Sequence, residues 1–250
     1  MTIGVGGSNI QDELKSMQLL SENIENINEE EYSARIQKAK VLMQQHNVDA
    51  IFFSCSTNLR YFINLNIHPS ERLHGAAINK TGDVVYIVPS FEKEKTETMI
   101  TFQGKIFTWE EDENPAKMVM DSFTFLGVTR GTIAIDENTP FLIFDKFQKA
   151  NQGHNLINAE CITKVCREVK SENEIAFIQT SMDITLEVQK RTARILYTGI
   201  TTVEVQNFVS LAHQKLGSHT APAFNIVLFF HISTEWISKC ESDNRNSDYA

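Results

Sequence analysis

Apolar positions in residues 29–46 recur at the three-and-four spacing of one helical face, with Tyr32, Ile36, Ala39 and Met43 in line. Asn47 closes that helix. Val48 to Ser54 is then an apolar run rich in Phe and Ile, the pattern of a buried strand. A short helix is expected near Leu59 to Ile63. The runs His74–Asn79 and Val84–Val88 flank Lys80-Thr81-Gly82-Asp83, which predicts a hairpin. A helix over Phe91–Ile100 and a strand over Lys105–Trp109 follow. Asn114-Pro115 supplies a cap and a first helical position for a helix to Phe125, stopped by Gly127. Thr132–Ile135 reads as a strand, and Thr139-Pro140 opens a helix to Ala150. Strands and helices alternate, so residues 29–160 form an α/β domain, and the hairpin makes its sheet mixed.

From Ile162 the alternation stops. Ser171 and Glu174 have capping-box spacing. The helix they open runs to about Tyr197, with Ile175, Ile178, Met182, Leu186 and Ala193 expected on a buried face. Gly199 ends it. Thr201 and Glu204 form a second box, and Val205, Phe208, Val209, Ala212 and Leu216 are the expected buried face as far as Gly217. Phe224–Phe230 reads as a strand. Residues 162–229 are therefore expected to begin a second domain. Residues 1–28 read as a flexible polar leader, weakly helical over Gln11–Leu20, and 230–250 as a divergent polar tail. Gly4-Val5-Gly6-Gly7 lacks the preceding strand and following helix of a phosphate loop.

Composition narrows the function classes. The chain has 250 residues, 42% hydrophobic and 22% charged, with a formal net charge of −9. An acidic balance without a basic stripe argues against nucleic-acid or anionic-membrane partners. No export signal opens the sequence, and Ile226–Phe230 is far too short to span a bilayer. Cys55, Cys161, Cys166 and Cys240 are widely spaced, so reduced thiols in a cytoplasmic protein are expected. Cys161 and Cys166 lack zinc-knuckle spacing. His213 and His219 have no neighbouring carboxylate, and no nucleophile elbow is present. The acidic run Glu110-Glu111-Asp112-Glu113 fits a solvated turn before a helix N-terminus better than catalytic carboxylates.

Several blocks stand in a recognisable order. They are Glu31-Tyr32-Ser33-Ala34-Arg35-Ile36, Val48-Asp49-Ala50-Ile51, Thr57-Asn58-Leu59-Arg60-Tyr61-Phe62, Ser70-Glu71-Arg72-Leu73 and Pro89-Ser90-Phe91-Glu92. Cys166-Arg167-Glu168-Val169-Lys170-Ser171-Glu172-Asn173-Glu174-Ile175, Gly199-Ile200-Thr201-Thr202 and Ala223-Phe224-Asn225-Ile226-Val227-Leu228-Phe229 follow. Over about residues 10–229 the chain resembles the Xaa-Pro dipeptidase and aminopeptidase P family, kin of creatinase. The resemblance implies an α/β protein: a creatinase-type N-terminal domain with a mixed sheet, then a pita-bread (α+β) domain that is incomplete here. It implies hydrolysis of bonds involving proline in proline-containing peptides, by a homodimer whose full-length relatives hold two divalent metals, manganese or cobalt. Such a pair needs about five oxygen and nitrogen ligands, carboxylates above all. In the family these follow the strand matched by Phe224–Phe229.

Here Phe230-His231-Ile232-Ser233-Thr234-Glu235-Trp236 replaces the expected continuation. No metal ligand and no catalytic residue is assigned to the chain: Asp243, Asp248 and His231 sit in a polar tail without strand pattern. The chain is expected to bind no metal and to be inactive alone. In relatives the N-terminal domain approaches the neighbouring subunit's active-site mouth, which makes Ser70, Glu71 and Arg72 candidates for that contact. An Arg–Glu pair that merely fixes a loop is the alternative, and the favoured one. A non-enzymatic interaction or dimerisation module and a metal-free creatinase-like amidinohydrolase ancestry also stay open. Exposed apolar helix faces predict poor solubility or self-association. The break at Phe229/Phe230 reads as a shifted frame or a truncation. A family-like reading frame is therefore expected beyond codon 250, and sequencing the gene there checks it.

Overall fold

The alternation of Phe52 and Phe53 between two faces organises the first part of the molecule. The computed structural model describes residues 2–219, 222 and 225–229. These divide into two compact units, one spanning Asn26–Ser171, the other built from the described residues before Asn26 and after Ser171.

In Asn26–Ser171 six strands form a mixed sheet: β1 (Ala50–Ser54), β2 (Gly75–Asn79), β3 (Val84–Pro89), β4 (Gly104–Trp109), β5 (Thr132–Ile135) and β6 (Asn155–Asn158), in the order β4-β3-β2-β1-β5-β6. β1 pairs antiparallel with β2, Ala50 opposite Asn79, and parallel with β5, Ala50 opposite Ile133. The hairpin stands as the sequence predicts. Asn79 Oδ1 accepts the backbone N–H groups of Thr81, Gly82 and Asp83 at 2.9–3.1 Å, and Gly82 takes φ +97°, which a Cβ would strain.

Successive strand residues face opposite sides. Phe53 stacks on Phe62 at 5.0 Å, inside a core closed by α2 (Glu29–Gln45), α3 (Thr57–Ile63) and α7 (Glu160–Glu168). Phe52 meets the edge of Phe147 at 5.1 Å, in the opposite core with α5 (Pro115–Phe125) and α6 (Phe141–Ala150). Each fully buried Phe contributes about 1.5–3 kcal/mol, so these adjacent residues bind both layers to β1. The region Phe91–Ile100 is a 3-10 turn at Ser90–Glu92 followed by a short α4, Lys93–Glu97.

Two elements were not foreseen. β6 is an edge strand with half-buried Leu156 and Ile157 between exposed asparagines, too little apolar signal for a strand. α7 buries Ile162, Thr163 and Cys166 in the first unit. The division accordingly falls after Ser171, whereas the sequence suggested 160–162.

The second unit contains α1 (Ile10–Lys15), α8 (Glu172–Ile195) and α9 (Thr202–Lys215). α9 has the expected capping box, and its expected face is buried. α8 differs. Ile184, Val188, Thr192 and Ile195 are its buried positions, whereas Ile175, Ile178, Met182 and Leu186 are 49–56% exposed, and Ala193 is exposed too. The helix carries two apolar stripes, and α1 and α9 pack with the one through Val188. Residues 225–229 form no strand; Asn225 instead exchanges hydrogen bonds with Gln206, both 3.2 Å. The remainder of that expected strand and residues 230–250 lie outside the described residues.

The leader is tied down rather than loose. Val5 N–H donates to Leu196 O at 2.7 Å, and a Cβ on Gly4 would stand 2.2 Å from Arg194 O. The glycines therefore serve close backbone approach to the end of α8. Asn9 caps α1, and the buried Glu13 accepts from Arg191 Nη1 at 3.0 Å. Arg191 also reaches Glu187 at 2.8 Å and Ser16 Oγ at 2.7 Å. Glu13→Ala leaves Arg191 short of its most buried partner. It is expected to lower stability by about 2 kcal/mol, read as a lower urea midpoint at unchanged slope.

Candidate functional site

The first unit contains a topological switch. From β1 the chain leaves through α3 toward β2, while from β5 it leaves through α6 toward β6, on the other side and across the other face. Open α/β sheets bind ligands in the crevice outside the carboxyl ends of strands that diverge in this way. A cavity of about 520 Å³ lies there. The segment Ser54–Thr57 from the end of β1 into α3, Arg60 of α3, the loop 66–74 and the segment 138–143 line it.

Behind two of the lining residues, Ser56 and Asn138, stands a polar network centred on Asp136. Asp136, the residue after β5, is 1% exposed. It accepts from Asn58 Nδ2 at 2.9 Å, from the Ser56 hydroxyl, and from Asn138 N at 3.0 Å. Ser56 Oγ in turn accepts the N–H of Asn58 at 3.0 Å and so caps α3. Asn58 Nδ2 also reaches Glu137 Oε1 at 2.9 Å, and its Oδ1 takes Arg167 Nη1 at 2.9 Å. Thr163 donates to Glu137 at 2.9 Å. Asp136, the buried carboxylate of this network, is thus well supplied with donors, the condition under which a buried charge is tolerated, while Glu137 is exposed and Arg167 half-buried.

His74 also lines the cavity, and its side chain is almost wholly buried. Its Nε2 stands 3.2 Å from Glu92 Oε2, off the line of a well-directed hydrogen bond, and its Nδ1 has no partner. Burial pushes the His74 imidazole below its ordinary pKa, against the pull of Glu92. Burial, with Glu92 adding to it, pushes the Cys55 thiol up to about 11, and that thiol donates to His74 O at 3.6 Å. Cys55 is therefore a thiol at neutral pH and no nucleophile.

Ser70 and Arg72 lie on the cavity rim, while Glu71 is 76% exposed and does not line it. Arg72 pairs with Glu71 and, through Nε, with Glu111 at 2.6 Å, and lies 5.3 Å over the Phe91 ring. The loop-fixing Arg–Glu pair is thus present. The acidic run supplies one of its members, a use its charge pattern alone did not reveal. Ser54, Arg60, His74 and Asp136 were not singled out as site residues in the sequence; Arg60 stood only within the block Thr57–Phe62, and the other three belong to no spaced motif.

Cys55, Cys161 and Cys166 are free, and burial pushes the Cys166 thiol up to about 11. His213 Nδ1 contacts Val209 O at 2.8 Å, a helix-internal tie. Cys240, His231, Asp243 and Asp248 lie outside the described residues. Among the described residues no group of three or more His, Cys, Asp or Glu side chains is placed to hold a metal, so these residues do not fit a dinuclear centre. No helix among them is long and apolar enough to cross a membrane.

Comparison with known proteins agrees with this architecture. The Creatinase/Prolidase N-terminal domain family matches residues 35–169, just over half of the chain. An uncharacterized peptidase of Staphylococcus haemolyticus is 24% identical over 78% of this chain and 54% of its own length. One from Staphylococcus epidermidis is 25% identical over the same shares. Prolidase from Thermococcus sibiricus superposes with a TM-score of 0.67 at 20% identity, over 78% of this chain and 52% of that one. Dipeptidase PepE from Mycobacterium ulcerans gives 0.64 at 19% identity, over 78% and 52%. The chain spans about half the length of the relatives it matches. It belongs to the creatinase/prolidase N-terminal domain family, and its fold is that of the prolidase structures over the matched half.

The His74 environment sets a pH response. A histidine whose pKa is lowered by folding binds its proton more readily in the unfolded chain, so stability is lost as pH falls through and below the unfolded value near 6.5. His154, lowered by burial, acts in the same direction. The urea midpoint is expected to fall between pH 7.5 and 5.5, and His74→Gln is expected to reduce that fall.

Proposed function

We propose that this chain supplies the creatinase-type N-terminal part of a peptidase acting on Xaa-Pro bonds. The observation that carries the reading is the family match over residues 35–169, joined to a fold shared with prolidase and dipeptidase structures over half their length. The names of those relatives supply the substrate class: an Xaa-Pro dipeptidase from Bacillus anthracis shares the fold at a TM-score of 0.60 and 14% identity.

In this reading the α8–α9 unit begins a pita-bread domain. Hydrolysis uses two divalent metals, manganese or cobalt, held by donors that the described residues do not contain. The working unit is a cytoplasmic homodimer, with the rim loop Ser70–Arg72 set toward the mouth of the partner's active site. The loop's exposure, and an Arg72 guanidinium already oriented by Glu71 and Glu111, support that role. A pre-oriented guanidinium presents its remaining N–H donors to a peptide or a subunit surface at little further entropy cost. The second reading, a non-catalytic interaction module, is favoured by the exposed stripe Ile175, Ile178, Met182 and Leu186, since contiguous apolar surface marks association.

Purified chain incubated with Gly-Pro and manganese is expected to give no turnover above a protein-free blank. Robust turnover would overturn the account of the metal donors. Sedimentation tests the second reading: a monodisperse, inactive dimer that Met182→Lys on the exposed stripe dissociates favours the interaction module.

A further inference from the structure

The cavity at the switch point has a chemical character that the peptidase reading does not use. Its lining contains two arginines and two histidines, Arg60, Arg72, His68 and His74, and no Asp or Glu. Arg72 is held by Glu71 and Glu111. Arg60, exposed on α3, enters no ion pair among the described residues. Ser54 and His74 also line the cavity; both are more than nine-tenths buried, and Ser54 Oγ and His74 Nδ1 have no hydrogen-bond partner. Buried polar atoms of this kind are rare in native proteins, because each forfeits its bonds to water. Phe52, Leu73 and Ile143 supply apolar wall.

The polarity of each unpartnered atom follows from its neighbours. Nε2 of His74 faces the Glu92 carboxylate at 3.2 Å, which favours the proton on that nitrogen. Nδ1 of the neutral ring is then an acceptor and calls for a donor on the ligand. The Ser54 hydroxyl and the Arg60 guanidinium are donors and call for an acceptor, ideally an anionic one. The apolar wall calls for a short hydrocarbon body. We propose that the cavity binds a small 2-hydroxycarboxylate, its carboxylate met by Arg60 and Ser54, its hydroxyl donating to His74 Nδ1, and its side chain against Phe52, Leu73 and Ile143. The site is formed by the Asn26–Ser171 unit and requires neither metal nor peptide.

Three probes separate the contributions: mandelate, phenylacetate, which lacks the hydroxyl, and mandelamide, which lacks the charge. Isothermal titration of the full chain without metal is expected to show one saturable mandelate site. Phenylacetate is expected to bind about fivefold more weakly, the loss of one neutral hydrogen bond, and mandelamide about tenfold or more. Arg60→Ala, an exposed change, is expected to weaken mandelate about tenfold and mandelamide, whose carbonyl accepts only a neutral-acceptor hydrogen bond, by about threefold or less. Ile143→Trp, which fills the cavity, is expected to abolish mandelate binding, with circular dichroism confirming that both variants remain folded. Absence of saturable mandelate binding, equal affinity for mandelate and mandelamide, or indifference to Arg60→Ala would each overturn the proposal. None of these outcomes bears on the peptidase reading, which the Gly-Pro assay tests separately.

Discussion

The carboxylate of Asp136 is the constraint on which the functional end of the first unit depends. It is buried at the carboxyl end of β5, where an ionised group survives only if hydrogen bonds replace its water. Its donors come from Ser56 and Asn58 at the start of α3 and from the following turn at Asn138. Its own N–H continues the ladder to Phe52 O at 2.9 Å. Satisfying one side chain therefore fixes where α3 leaves β1 and where the chain leaves β5. The space between those two departures is the cavity. Arg167 extends the constraint to α7 by closing on Asn58, so the unit is completed only near residue 168. A boundary drawn at the end of the strand–helix alternation cuts through this network.

The strands of the sheet interior were legible because their signals are local. Val84–Val88, Thr132–Ile135 and the Lys80–Asp83 turn carry their own periodicity and turn chemistry, and the pairing of β2 with β3 follows from adjacency. β6 was not legible, since its two half-buried apolar residues between exposed asparagines impose no alternation, whereas the other edge strand, β4, has a longer apolar run and was read. The cavity was not legible for a different reason. Ser54 and Arg60, His74, and Asn138 come from three segments, which the antiparallel pairing of β1 with β2 and the parallel pairing of β1 with β5 bring to one end of the sheet. Parallel pairing across eighty residues leaves no mark in either strand's composition. The Ser70–Arg72 loop was located only through family resemblance, and the structure adds the partner, Glu111, that its own sequence neighbourhood does not show.

The two units differ in how completely each satisfies its own sequence. In the first, both faces of β1 are covered, and Phe52 and Phe53 are each fully buried. In the second, α8 carries apolar residues on two stripes, and periodicity alone cannot rank them. The stripe read as buried is Ile175, Ile178, Met182 and Leu186, yet α1 and α9 pack with Ile184, Val188 and Ile195 instead. The leader decides the matter. Gly4 and Gly6 permit backbone approach at Arg194, and Glu13 clamps Arg191, so α1 is anchored where those side chains project. A helix is committed to whichever neighbour makes directional contacts with it, since burial by itself is indifferent to which stripe is chosen. The stripe through Ile178 and Met182 is left exposed by polar chemistry at the other end of the same helix.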